Sequence, residues 1–257
     1  SNGDIEKAVD LLRSNSALKA EKKSSRVAAD GVLVLSIGDG YASMVELNSE
    51  TDFASKDSNF LAFGEKVKNY ISENKITESL AFLDTEIEEE RKSLVQTIGE
   101  NIQLRRVETI DFNNDMQVGS YLHSDTKLGA IVSINGGNEQ VAKDIAMHVA
   151  AFNPLCLSKD DISIDILERE KAIFENQAKD SGKPKEIMEK MIEGKIKRFL
   201  SEVSLLSQSF VKDSEITIEE YLASNGASIV AFARLKVGEG IEVQTKDFAE
   251  EVAEQLK

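Results

Sequence analysis

Cysteine is nearly missing from this 257-residue chain. Cys156 stands alone, so no internal disulfide can form, which fits a reducing compartment and makes the cytoplasm the expected location. Histidine is almost as scarce. His123 and His148 are the only two, and no Cys or His stands at metal-ligand spacing from either, so a zinc site is not expected. Positive charge is in short supply: 31 Lys and Arg face 46 Asp and Glu, a formal net charge of −15. Such an acidic surface argues against nucleic acid, whose phosphates need a basic face, and suits a partner that offers one. No apolar run approaches the roughly eighteen residues that a membrane span needs, and no signal peptide is visible at the start. The motifs of covalent and nucleotide chemistry are missing too. No Ser sits in a G-x-S-x-G, Cys156 has no nearby base, no P-loop exists, and Gly238-Glu239-Gly240 lacks the rest of a dinucleotide fingerprint. Neither catalysis nor a bound cofactor is expected. Asp160-Asp161 and Glu88-Glu89-Glu90 read as adjacent acids on solvated faces rather than a spaced catalytic pair.

What is present is an ordinary globular composition, with 41% hydrophobic and 30% charged residues and length for one or two domains. Apolar residues at helical spacing predict a first helix over Asp4–Leu18, and the basic stretch Lys19–Arg26 reads as a linker. Alternation over Val32–Ile37 and Tyr41–Leu47, joined by Gly38-Asp39-Gly40, predicts a hairpin. A helix follows from about Asn59 to Glu73 with Phe60, Phe63, Val67, Tyr70 and Ile71 on one stripe. A shorter acidic helix from about Thr85 to Ile98 and a strand over Asn101–Phe112 come next. The plan then repeats: strands over Gln117–Leu122 and Leu128–Ile134, then a helix from Glu139 to Phe152 that stops before Pro154. Residues Asp160–Glu202 differ. Two long helical patterns broken at Ser181-Gly182-Lys183-Pro184 suggest an antiparallel coiled-coil arm, with two ordinary bundle helices as the alternative. Afterwards come a short helix over Ile218–Ser224, a strand over Ala227–Val237 and a final amphipathic helix over Thr245–Leu256.

One segment fits no simple pattern. After the strand ending Val45-Glu46-Leu47 comes a turn, Thr51-Asp52-Phe53, with Asp57 or Ser58 placed to cap the following helix. Phe53 sits in that polar turn with no evident face to bury. Pattern alone favours its folding back as a staple on the helix, against a contact with a partner. His148, among Ile145, Met147 and Val149, reads alone as a satisfied core or edge residue. Arg105 and Arg106 are adjacent on a strand and should point to opposite faces, with a structural ion pair for at least one.

The T-D-F turn after V-E-L-N resembles the elongation factor Ts family, the guanine-nucleotide exchange factors of elongation factor Tu. Further matches occur in the family's order across nearly the whole chain. They include Asn2-Gly3-Asp4-Ile5, Val27-Ala28-Ala29-Asp30-Gly31, Gly99-Glu100-Asn101-Ile102 with Arg105-Arg106, and Ile145-Ala146-Met147-His148-Val149. Ser181-Gly182-Lys183-Pro184, Glu202-Val203-Ser204-Leu205 and Val237-Gly238-Glu239-Gly240 follow. One alone would be weak; together they are specific.

The residue patterns together give an α+β fold: two related hairpin-plus-helix subdomains with antiparallel sheets, an inserted antiparallel coiled-coil helical arm and a C-terminal helix. The corresponding boundaries are a remnant of an N-terminal helical domain and linker over 1–26, core subdomain N over 27–112, and core subdomain C over 113–159 with 203–238. The helical hairpin then spans 160–202 and the C-terminal module 239–257. Most of the family's N-terminal domain is expected to be missing. The resemblance implies binding to elongation factor Tu and release of its GDP, with Thr51, Asp52 and Phe53 beside the GTPase's Mg²⁺ region. Leu128, Gly129 and a partner-facing His148 form the second contact set. No cofactor, nucleic acid or membrane is implied, and a homodimer through the arm is an open expectation. A scaffold that assembles partners through the arm is the alternative function.

Overall fold

A two-stranded hairpin followed by a helix is the unit of construction, and the chain builds it twice. The structure, a computed structural model, describes residues 5–179 and 184–242, without the side chains of residues 6 and 8–10. The expected helix over Thr245–Leu256 and the Ser181-Gly182-Lys183 break lie outside the described residues. The described chain divides into two units. The first comprises residues through Thr109, Leu122–Gly129 and those from Leu235; the second comprises Ile110–Tyr121 and Ala130–Arg234.

In the first unit, α1 (Ile5–Lys23) precedes the hairpin of β1 (Asp30–Ile37) and β2 (Tyr41–Ser49). The hairpin is antiparallel and Val34 lies opposite Val45. A one-turn helix α2 (Asp52–Ser55) leads into α3 (Ser58–Glu73); α4 (Glu86–Ile98) and β3 (Gln103–Asp111) follow, and β3 pairs with β2. The stripe Phe60, Phe63, Val67 and Ile71 is buried, as its spacing demands, in one cluster with Val34, Val45 and Leu47 of the hairpin. Each such side chain contributes roughly 1.5–3 kcal/mol. The basic stretch expected as a linker is instead helical as far as Lys23. Its Lys, Ala and Glu residues are strong helix formers, Ala20 is buried in the core cluster, and α1 packs along α4. Ser16 donates to Gln96 Oε1 at 2.7 Å, and the Lys23 ammonium reaches the Gly99 carbonyl. Gly99 ends α4 with a left-handed φ of 85°, where glycine carries no steric penalty.

The second unit rests on the sheet β4-β5-β8, where β4 is Met116–Leu122, β5 is Leu128–Gly136 and β8 is Ala227–Lys236. Helix α5 (Glu139–Phe152) packs so close to β4 that a Cβ on Gly119 would lie 2.1 Å from the Ala142 carbonyl carbon. Only glycine fits there. The arm follows as α6 (Ile164–Lys179) and α7 (Lys185–Val203). Its helices pack on each other, with Phe174 edge-on to Phe199 at 6.4 Å. Entry and exit strands are tied at the base: the Leu205 and Leu206 N–H groups donate to the carbonyls of Cys156 and Leu157, at 3.0 and 3.1 Å. A small hairpin, β6 (Ser209–Phe210) and β7 (Asp213–Thr217), then leads through α8 (Ile218–Ser224) to β8. The fold is α+β with small antiparallel sheets, as the sequence leads one to expect.

Candidate partner-binding site

The expected turn at Thr51-Asp52-Phe53 is the one-turn helix α2. A free helix this short would be unstable, because nucleation fixes several residues for one hydrogen bond. Local polar contacts hold it. Thr51 is its N-cap, in extended conformation, and its hydroxyl accepts the Ala54 N–H at 3.2 Å. Asp52 in the first turn accepts from Lys56 Nζ at 2.8 Å; this hydrogen bond and the lysine's charge hold the half-exposed Asp52 carboxyl below its usual range. Ala54 and Ser55 face inward and are buried. Phe53 faces outward and is 83% exposed. It does not fold back on α3, whose start is instead capped by Asp57 accepting the Asn59 N–H at 2.8 Å.

Neighbouring segments grip α2 from two sides. Glu100 accepts from the Thr51 hydroxyl at 2.7 Å and from the Thr51 N–H at 3.0 Å. In return Glu50 accepts the Asn101 N–H at 2.6 Å. On the other side Ser55 donates to Asp30 Oδ1 at 3.3 Å, and Lys127 donates to Asp30 Oδ2 at 2.9 Å. Lys127 brings with it the β4–β5 hairpin tip, so Leu128 and Gly129 belong to the same unit as α2. Leu128 is half-buried, its carbonyl accepting the His123 N–H at 2.8 Å; Gly129 is buried.

Glu46 on β2 is fully buried. Arg105 Nη1 donates to its carboxylate at 3.0 and 3.1 Å, Arg106 Nε donates to Oε2, Asn48 Nδ2 donates to Oε1 at 3.0 Å, and the Gly238 N–H donates to Oε1 at 2.8 Å. Burial alone would raise this carboxyl; the Gly238 N–H, Arg106 and Asn48 outweigh it and keep the group below its usual range. The two arginines, expected on opposite faces, both curl onto Glu46, because guanidinium stems are long enough to reach around the strand.

The expectation of a partner-facing His148 is corrected: the ring is completely buried in the second unit. The Val211 N–H donates to Nδ1 at 3.2 Å, which leaves Nε2–H to donate to Gln208 Oε1 at 3.0 Å. Burial lowers the pKa of the ring, so it is neutral. The side chain that reaches solvent there is Phe152, stacked on the His148 ring at 4.6 Å and 48% exposed. Among the described residues no group of three or more His, Cys, Asp or Glu is arranged to hold a metal, and no helix is long and apolar enough to cross a membrane.

The family model described as elongation factor TS matches residues 50–239, which begins one residue before the N-cap of α2. An elongation factor Ts of Hahella chejuensis is 47% identical over 99% of this chain and 89% of the relative. That of Psychrobacter arcticus is 46% identical over 98% and 87%, and that of Francisella tularensis subsp. novicida is 48% identical over 99% and 89%. The chain belongs to the elongation factor Ts family. It is thereby an elongation factor of protein biosynthesis. All six candidate positions, Thr51, Asp52, Phe53, Leu128, Gly129 and His148, fall inside the matched range.

Sequence reasoning missed the groups that hold the Thr51-Asp52-Phe53 segment in place. Glu100, Glu50, Asp30 and Lys127 are polar residues in ordinary-looking loops. The available signal was the recurrence of Asp30 and Glu100 within the family-like motifs A-A-D-G and G-E-N-I, whose acids have no role until the fold brings them to α2.

Proposed function

We propose that this chain is a guanine-nucleotide exchange factor that binds elongation factor Tu in the cytoplasm and promotes release of its GDP. The observation that carries the reading is Phe53, 83% exposed at the front of a short helix fixed on both sides by polar contacts. A large apolar ring held out in water is a ready contact for a partner. The mechanism is physical rather than covalent. A factor that binds the GTPase better when its nucleotide is gone must, by linkage, weaken nucleotide binding by the same coupling energy. In this reading Phe53 wedges between side chains of the GTPase beside its Mg²⁺ and phosphate region, with Asp52 as the polar group next to it. Weakening nucleotide affinity by a factor of about ten thousand takes about 5.5 kcal/mol of differential binding. One buried Phe supplies roughly 1.5–3 kcal/mol. The remainder falls to further contacts, for which Leu128 and Gly129 at the hairpin tip are the candidates. His148, being buried, acts by supporting Phe152 rather than by touching the partner itself.

A second reading, a scaffold that assembles partners or a second copy of the chain through the arm, draws on Ile164, Ile173 and Ile187, which the arm leaves exposed. One assay separates the two. Elongation factor Tu loaded with fluorescent GDP is mixed with the chain and an excess of unlabelled GDP. Accelerated release supports exchange; release at the intrinsic rate, with binding intact, leaves the scaffold.

A further inference from the structure

The geometry points to Glu100 as the positioning residue of the wedge: its carboxylate fixes Thr51, and through Thr51 the direction in which Phe53 leaves the surface. This inference rests on the exchange reading of Phe53.

Helix α2 has one turn and Phe53 contributes almost no burial to it, so apolar packing cannot aim the ring. Thr51 is where its orientation is decided. The hydroxyl of Thr51 has two tasks at once. It accepts the Ala54 N–H, which starts α2, and it donates its only proton to Glu100 Oε1. The second carboxylate oxygen takes the Thr51 N–H. Both donors of one residue therefore end on one carboxylate, which removes rotation about the Thr51 side chain and locks its backbone. The Thr51 carbonyl accepts the Ser49 hydroxyl at 3.0 Å and the Ser55 N–H at 3.3 Å, so every polar group of Thr51 is engaged.

Glu100 is itself firmly placed. It follows Gly99, whose left-handed conformation turns the chain sharply out of α4. It precedes Asn101, whose N–H is bound by Glu50 and whose side-chain amide donates to the Arg26 carbonyl at 2.7 Å. The two acids Glu50 and Glu100 thus exchange contacts across two segments far apart in sequence. The result is a clasp anchored on the long helix α4 rather than on the loop it steadies. Charged acceptors make the stronger hydrogen bonds, and a carboxylate can take both donors while an amide can take only one of them without rotating.

The test is release of fluorescent GDP from elongation factor Tu by wild type, Glu100→Ala, Phe53→Ala and the double variant, each at limiting and at saturating concentration. Glu100→Ala is expected to lower the saturating release rate about three- to tenfold, the worth of one to two hydrogen bonds, with the half-saturating concentration nearly unchanged. In the Phe53→Ala background the same substitution is expected to cost almost nothing further, because there is no ring left to aim. Glu100→Gln, which keeps one acceptor and the shape of the side chain, should fall between wild type and Glu100→Ala and serves alone should the alanine variant fail to fold. Equal slowing by Glu100→Ala with and without Phe53, or no slowing at all, overturns the inference while leaving the exchange reading intact. Wild-type release by Phe53→Ala itself overturns both.

Discussion

Removing the buried carboxylate of Glu46 is the severest single test of how the first unit is held. Glu46→Ala removes the buried counter-charge that two guanidinium groups share, leaves Arg106 only its longer pairing with Glu239 at 3.8 Å, and strands the Gly238 N–H. Breaking a buried ion pair from one side costs about 3–5 kcal/mol. Arg105 and Arg106 retain side-chain exposures of 24% and 30%, so water can rehydrate them in part, which places the cost near the lower end, about 3 kcal/mol. At about 2–4 °C per kcal/mol for a chain of this size, the melting temperature should fall by roughly 6–12 °C. Glu46→Gln keeps the shape and one acceptor for Gly238 but not the charge, and should cost about half as much. The pH dependence follows from the sign of the shift. The folded-state pKa of Glu46 lies below its unfolded value, so its contribution is complete above the ordinary carboxylate range and is lost as pH falls through the folded value. The gap between wild type and Glu46→Gln should therefore close in acid. Scanning calorimetry of both variants at neutral and acidic pH reads all of this. A Glu46→Ala protein that melts within about 2 °C of wild type at neutral pH would show that the arginines and Gly238 need no shared acceptor.

Phe53→Ala should leave the melting temperature within about 2 °C of wild type, since little of the ring is buried, yet slow GDP release roughly ten- to a hundredfold; a variant that melts early and exchanges normally returns Phe53 to the core. Neutral His148 has a folded pKa below its unfolded value, so its share of stability is full above about pH 6.5 and declines as pH drops toward the folded value. His148→Gln should melt lower throughout but lose less stability between pH 7 and 5 than wild type, read from parallel melts. Replacing the arm, 160–202, by a short glycine-serine linker should leave GDP release unchanged by a correctly folded product. Loss of release would place the arm in the mechanism.

Long, strongly periodic segments were legible from the residues alone. The stripe Phe60, Phe63, Val67 and Ile71 and the alternation in β1 and β2 each have one face to bury, so pattern and packing agree. Helix α5 ends at Phe152 and α8 spans Ile218–Ser224 as their stop and cap signals indicate, Thr217 and Glu220 forming a capping box at the start of α8. Elements too short for a period were not legible. Strand β6 has two residues, and α2 one turn that exists only because Thr51, Lys56 and Glu100 hold it. The continuation of α1 was hidden for the opposite reason: charge suggested solvent, while the buried Ala20 decided the matter. Of the candidate site, the residue types at Thr51, Asp52 and Phe53 stood out in sequence, but Phe53's exposure did not, since a staple and an exposed ring look alike until the helix is in view. For His148 the local pattern of apolar neighbours was the better guide to placement than the family expectation.

The bond from the Gly238 N–H to Glu46 spans 192 residues. During synthesis at about 5–20 residues per second, Glu46 is added to the chain roughly 10–40 seconds before that partner is made. Arg105 and Arg106 arrive much sooner, so the charge on Glu46 can be neutralised while its site stays open on one side. The first unit can thus assemble in two stages. An early hairpin-and-helix body holds its acid in an arginine pair, and it is sealed when the strand leading to Gly238 has been synthesised, after the residues of the second unit. A ribosome stalled before Gly238 would hold a body of this kind with α2 already formed and the last hydrogen bond to Glu46 still unmade.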